Sequence, residues 1–379
     1  MSKCEKARRV VIIAGEASGD AHGAKVAKEL KAQEPDIELY GMGSDHMHAA
    51  GVKLAVDCKD MAVIGVTAVL GKLPVYFKAL SDAKKMLRLL KPDLVILIDF
   101  PDFNMLLAKY AKKLNIPVLY YVSPQIWAWR QGRVKKIVKY VSHMAVILPF
   151  EEQFYHKYNM PVTYVGHPLL DREFPAVEAT LARTMPAHPV VGILPGSRNG
   201  EIRRLLDTML KSAVEIHKQD PEIKFLLSKA PSVDGELFDG IVAQNPGVET
   251  EIATSVLELF KRADILIAAS GTVTLEAGLH GLPMCIIYKV SLLNYILGRL
   301  LLKIKCIGLV NLVAGEAVMP ELIQDDAQPK KIAAAVMDIV TNVERYAYIK
   351  NMLANVKQIL GQGGGAARKV AAIAFKLMK

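Results

Sequence analysis

Short, almost unbroken apolar runs recur along the chain, each followed by a turn of small residues and then by a stretch of helical period. Residues 9–14, 38–43, 94–98, 116–121, 141–148 and 163–165 make a first series. A second series comprises 190–194, 224–228, 264–269 and 284–288, with a weaker run at 242–250. Runs of this length without polar alternation predict strands covered on both faces, the pattern of a parallel sheet. Helical stretches between them, through Leu30, over 46–50, to Leu114 and to His217, complete strand–turn–helix repeats. The proline-bearing stretch 170–189 separates the two series and reads as a connector. The pattern therefore predicts two α/β domains facing across a cleft, where ligands usually sit. Near the C-terminus, 330–341 and 343–360 read as helices, and the glycine-rich 361–369 as a hinge or cap before a last one.

The stretch 264–289 gives this pattern its sharpest form. An apolar strand ends in Ser270-Gly271-Thr272, a helix follows to Leu279, and Gly281-Leu282-Pro283 returns the chain to a strand. The free N–H groups and positive end of such a helix suit a phosphate. A plain capped turn in an α/β protein would read the same way. Residues 62–77 differ, because Val66, Val69, Leu70, Leu73, Tyr76 and Phe77 put large apolar groups on more than one face. They predict either a buried helix with a linker or an apolar patch that dips into a membrane surface. Residues 291–305 pose the same choice in an apolar, basic form.

Composition narrows the partners. A formal net charge of +10 suits an anionic ligand or an acidic lipid surface, and no RNA-binding aromatic motif or zinc finger speaks for nucleic acid. The four cysteines have no CxxC spacing, so neither a disulfide scaffold nor a thiolate zinc site is expected, and a reducing cytosol fits. The N-terminus runs straight into a strand rather than into a signal peptide's longer apolar core. No charge-free apolar stretch is long enough to span a bilayer.

The polar candidates fall at strand ends. In the second series these are Arg198, a bidentate partner for phosphate oxygens, then Ser270–Thr272, then Glu276, whose carboxylate suits a ribose diol, and Asn311. In the first series Asp99, Asp102, Glu16, Asp20 and His22 are the acid and base candidates. An alcohol acceptor needs such a group to take its proton. The absence of G-x-S-x-G, HExxH and Walker A patterns lowers hydrolase, zinc-protease and ATPase readings.

Several long motifs, in order, resemble lipid-A-disaccharide synthases: GEASGDAHGA at 15–24, IDFPDFN at 98–104, YVSPQIWAWRQGR at 121–133, LPFEEQFY at 148–155, YVGHPLLD at 164–171, LPGSRNGEI at 194–202, ASGTVTLEAGLHGLPMCIIYK at 269–289 and NLVAG at 311–315. The resemblance implies an inverting GT-B glycosyltransferase: two Rossmann-like domains, 1–170 and 171–344, with C-terminal helices from about 345 crossing back to the first. It implies transfer of 2,3-diacylglucosamine from UDP-2,3-diacylglucosamine to the 6-hydroxyl of 2,3-diacylglucosamine 1-phosphate, on the cytoplasmic face of the bacterial inner membrane. UDP-sugar is then a substrate, and no cofactor or obligatory metal is implied. By motif, Asp99 is the expected general base. Arg198, Ser270, Gly271, Thr272, Glu276 and Asn311 would form the UDP site, and Glu16, Ser18, Asp20, Trp127 and Arg130 the acceptor or cleft side. The segment 66–77 would form the membrane or acyl patch, with an anionic membrane surface as partner and a homodimer left open. One departure stands out: Ala68 replaces the family's usual glutamate.

Overall fold

The computed structural model describes residues 7–57, 69–129, 131–291, 295, 306–361 and 364–378. The chain packs as two compact units, Met1–Asp171 with Gly363–Lys379, and Arg172–Gln362. Boundaries read from sequence at 170/171 and near 345 thus lie at 171/172 and 362/363, which leaves the helix Val343–Leu360 in the second unit.

The first unit holds β1 (Arg9–Ala14), β2 (Glu38–Gly43), β3 (Lys53–Asp57), β4 (Leu94–Ile98), β5 (Val118–Tyr121), β6 (His143–Val146) and β7 (Val162–Tyr164). They form one parallel sheet in the order β3-β2-β1-β4-β5-β6-β7. All of β4 is excluded from solvent, as its uniform LVILI sequence requires. Alternate residues serve different layers. Val95 and Leu97 pack with Phe103, Leu107 and Tyr120. Leu94, Ile96 and Ile98 pack with Leu30, Tyr121, Val370 and Ala371. The last helix, Ala366–Leu377, therefore returns to the first unit because its apolar stripe covers the second face of that sheet.

The second unit holds β8 (Val190–Leu194), β9 (Lys224–Ser228), β10 (Glu251–Ala253), β11 (Ile265–Ala269), β12 (Met284–Tyr288) and β13 (Glu321–Ile323), ordered β10-β9-β8-β11-β12-β13 and parallel throughout. Both sheets repeat the doubly wound order, and the fold is GT-B in class. In each, strand order reverses between the first and fourth strands, so loops after β1 and β4, and after β8 and β11, leave side by side. Ligands of open α/β sheets bind at such switch points.

One local expectation is corrected, and two helices add to the pattern. The weak strand at 242–250 is displaced to β10, because Asp234 accepts the Leu237 N–H at 3.1 Å and starts a helix over Gly235–Ala243. Leu309–Ala314 form a helix, ended by Gly315 at φ 81°. Residues 69–90 form one helix with Pro74 inside it, where the ring removes one hydrogen bond to the preceding turn.

Candidate active site

The loop after β4 is the most constrained piece of the first unit. Asp99 and Phe100 both take left-handed backbone, φ 47° and 45°, a conformation that costs a non-glycine residue about 1–2 kcal/mol. Three hydrogen bonds hold it there. The Asp99 N–H donates to the Tyr121 carbonyl at 3.0 Å. Its own carbonyl accepts from Asn104 Nδ2 at 2.7 Å and from the Tyr120 hydroxyl at 2.6 Å. Burial pushes the Tyr120 pKa well above the usual tyrosine range, so the hydroxyl remains a neutral donor. The next strand end is strained too, with Val122 at φ 64°. Strain held in this way around one carboxylate is a mark of a working site.

Burial, reinforced by the charge of Glu16 and opposed by a hydrogen bond from the Phe100 backbone, pushes the Asp99 carboxyl up to about 6. Glu16 and Ser18 are exposed at the start of the helix Ala17–Gln33. The two loops meet at Gly15, where a Cβ would lie 2.4 Å from Cδ1 of Phe100. Glycine is thus what lets the Phe100 ring settle beside β1. Phe100 also contacts Phe103 at 5.2 Å and Tyr76 at 6.3 Å between ring centroids.

Other first-unit candidates are placed differently. Asp20 is buried and accepts the N–H groups of Ser44, His46 and Met47 at 2.6, 3.0 and 3.2 Å, so it caps the helix Asp45–Ala49 rather than facing an open loop. Trp127 is in the core, its Nε1 donating to Glu151 at 3.1 Å and its ring edge-on to Phe150. Tyr76 turns inward onto Phe103 at 5.4 Å, while Phe77 beside it is 58% exposed. His22 stands edge-on to Tyr121, 6.0 Å away, and burial lowers its pKa. Asp102 is exposed and pairs with Arg133 at 2.9 Å. Val66, Ala68 and Arg130 lie outside the described residues, as do the side chains of Val69, Leu70 and Leu73 and nearly all of 291–305.

In the second unit two helices start at the switch point, and they differ. At Asn199–His217 the carboxylate of Glu201 folds back to accept the Ser197 and Arg198 N–H groups at 2.9 and 3.2 Å. A Cβ on Gly196, at φ 111°, would collide with that carboxylate. At Thr272–Leu279 no side chain among the described residues caps the N-terminus, and Gly271 and Thr272 are exposed. An anion is therefore better received there, on uncapped N–H groups. Arg198 is free to assist, its side chain 81% exposed and reaching Glu201 only at 3.4 Å.

Asn311 is not on that surface. It is fully buried, accepting the Met319 N–H at 2.9 Å and donating to the Met319 carbonyl and to Glu321 at 2.9 and 2.8 Å. Glu321 in turn accepts the N–H groups of Ile307 and Gly308, at 2.8 and 2.9 Å. The Ile307 carbonyl accepts from the Ser270 hydroxyl at 3.3 Å. Asn311 thus acts on the Ser270 turn from behind, through Glu321 and the 307–308 backbone.

Residues 10–375 match the family model described as lipid-A-disaccharide synthetase. The chain is 44% identical to the lipid-A-disaccharide synthase of Geobacter metallireducens, over 98% of this chain and 97% of that one. It is 45% identical to that of Syntrophus aciditrophicus, over 98% of each. The chain belongs to the lipid-A-disaccharide synthase family. As a member it is a glycosyltransferase. More distant structures share the fold alone: UDP-GlcNAc 2-epimerase from Neisseria meningitidis bound to UDP-GlcNAc (TM-score 0.62, 14% identity, 97% and 100% coverage) and MurG from Acinetobacter baumannii (0.57, 14%, 97% and 99%).

In this synthase-family chain the structure adds residues that the sequence reading passed over. Tyr120 and Asn104 hold the Asp99 backbone, and Glu321 braces the Ser270 turn. Tyr120 and Glu321 act through hydrogen bonds 21 and 13 positions long, whereas Asn104 reaches Asp99 from within the IDFPDFN motif. Glu276 sits one turn into its helix, and its carboxylate meets Arg172.

Proposed function

We propose that this protein joins two acylated glucosamines, transferring 2,3-diacylglucosamine from UDP to the 6-hydroxyl of 2,3-diacylglucosamine 1-phosphate. The observation that carries the reading is the Asp99 carboxyl, raised to about 6 by burial and held on a strained, hydrogen-bonded loop at a switch point. Such a group is ionised at neutral pH, yet it is a stronger base than an exposed aspartate. It takes the proton of the acceptor's 6-hydroxyl as that oxygen attacks the anomeric carbon. The bond from this carbon to the UDP oxygen breaks on the opposite face, and the configuration inverts. Arg198 and the uncapped start of Thr272–Leu279 receive the charge that grows on the diphosphate, preorganised electrostatics worth several kcal/mol. Glu276 accepts the ribose hydroxyls.

An anionic membrane surface suits the helices Val69–Leu90, Pro101–Lys113 and Val134–Tyr140, which cover one sheet face of the first unit. Their outer sides expose Lys85, Arg88, Lys109, Lys112, Lys135 and Lys139 beside Phe77, Leu89, Leu106 and Val138. Basic and apolar side chains together favour an acidic lipid interface. Among the described residues no helix is long and apolar enough to cross a membrane.

Mass spectrometry after incubation with both lipid precursors tests the reaction: a tetra-acylated disaccharide 1-phosphate with stoichiometric UDP is expected. Intact precursors after incubation with well-folded enzyme would refute it. Sedimentation with vesicles, anionic against zwitterionic, tests the surface, and binding should weaken with added salt.

A further inference from the structure

The Glu276 carboxylate is already engaged. Its Oε1 accepts from Arg172 Nη1 at 2.5 Å, with the arginine side chain 63% exposed and the glutamate 20%. The segment that carries Arg172 is held at two further points. The Phe174 ring stands 5.0 Å from His280, the residue that ends this helix, and Lys357 Nζ donates to the Pro175 carbonyl. Arg172 is therefore delivered to Glu276 by an anchored strand of backbone.

We propose that Arg172 is a gate on the ribose subsite, holding the Glu276 carboxylate until a vicinal diol displaces it. The proposal rests on the assignment of Glu276 to the ribose. A carboxylate receives a diol through both oxygens, one for each hydroxyl. With Arg172 on Oε1, one acceptor position of that oxygen is taken, so a diol that engages both oxygens competes with the guanidinium. Arg172 is then a positioning and selectivity residue, acting on the nucleotide only through Glu276. A nucleotide that lacks the diol has no reason to break the pair. The gate thus weakens binding of ribonucleotides selectively, by about threefold, the scale of an exposed ion pair.

Isothermal titration of the full-length protein with UDP and with 2′,3′-dideoxy-UDP separates the possibilities, using wild type, Arg172→Ala, Arg172→Lys and Glu276→Gln. Arg172→Ala should tighten UDP about threefold and leave dideoxy-UDP unchanged, while Arg172→Lys, which restores a cation, should return UDP towards the wild-type affinity. Unchanged or weaker UDP binding in Arg172→Ala, with wild type still preferring UDP to its dideoxy analogue, would overturn the gate and leave the ribose assignment standing. An Arg172→Lys protein as tight as Arg172→Ala would also overturn it. If wild type and Glu276→Gln bind UDP equally, and wild type binds both nucleotides alike, the ribose assignment itself fails and takes the gate with it.

Discussion

Replacing Glu16 by Gln removes one of the two causes that raise the Asp99 pKa and leaves the other in place. The carboxyl moves from the ordinary 3.8 to about 6, roughly 2 units, with burial the larger cause and the Glu16 charge the second. Because the Phe100 hydrogen bond opposes both, the Glu16 share is bounded only by the whole rise, about 3 kcal/mol between the two protonation states of Asp99. The acid limb of log kcat against pH should lie near 6 in the wild type and move down in Glu16→Gln, staying above the ordinary 3.8 because burial remains. The assay is UDP release at saturating substrates from pH 4.5 to 8.5. Ionisation of the substrates is common to both proteins, so only the difference between the profiles reports on Asp99. A limb that stays in place, or moves up, would refute the electrostatic coupling between the loops after β1 and β4.

Asp99→Asn should abolish most turnover, by about 10²–10⁴-fold for a lost general base, while raising the thermal midpoint at pH 8. Folding raises this carboxyl's pKa, so its contribution to stability is fully present below about pH 4 and lost as pH rises through about 6. Removing it is then worth up to about 3 kcal/mol at pH 8, and asparagine tolerates the left-handed backbone. A midpoint lowered at pH 8 and unchanged at pH 4 would contradict this. Gly15→Ala sets a methyl group against the Phe100 ring and should cost about 1–3 kcal/mol by denaturant titration, with activity reduced beyond what unfolding explains. Asn311→Ala leaves the Met319 N–H and carbonyl without their partner, and should lower stability by about 1–3 kcal/mol and weaken UDP binding through the loosened Ser270 turn. Full UDP affinity in that variant would show that the Glu321 brace suffices alone.

Much of the site was legible because its parts are local. Ser270-Gly271-Thr272 after an apolar run announces a helix start that suits a phosphate, and Asp99 after LVILI announces a carboxylate at a strand end. Asn311, Trp127 and Asp20 share a feature that local sequence does not display. A polar or amphipathic side chain in a striking motif looks the same in sequence whether it meets a ligand or satisfies a buried backbone. Each of the three is buried against partners 8 to 27 positions away. The short edge strands β3 and β13 escaped because partly exposed edges lack the uniform apolar signal of central strands.

By itself the sequence determined the two parallel α/β units and the order of polar groups at strand ends, since hydrophobic period and turn chemistry act over a few residues. The tertiary structure decided how those groups are used. The 264–289 stretch began as a capped turn that suited a phosphate; folded, its N-terminus is open while that of Asn199–His217 is filled by Glu201. Its Glu276 proves to be held by Arg172, more than 100 positions earlier. Such pairings depend on which strands neighbour one another in the sheet, and burial, strain and charge at Asp99 and Glu276 exist only once those neighbours have met.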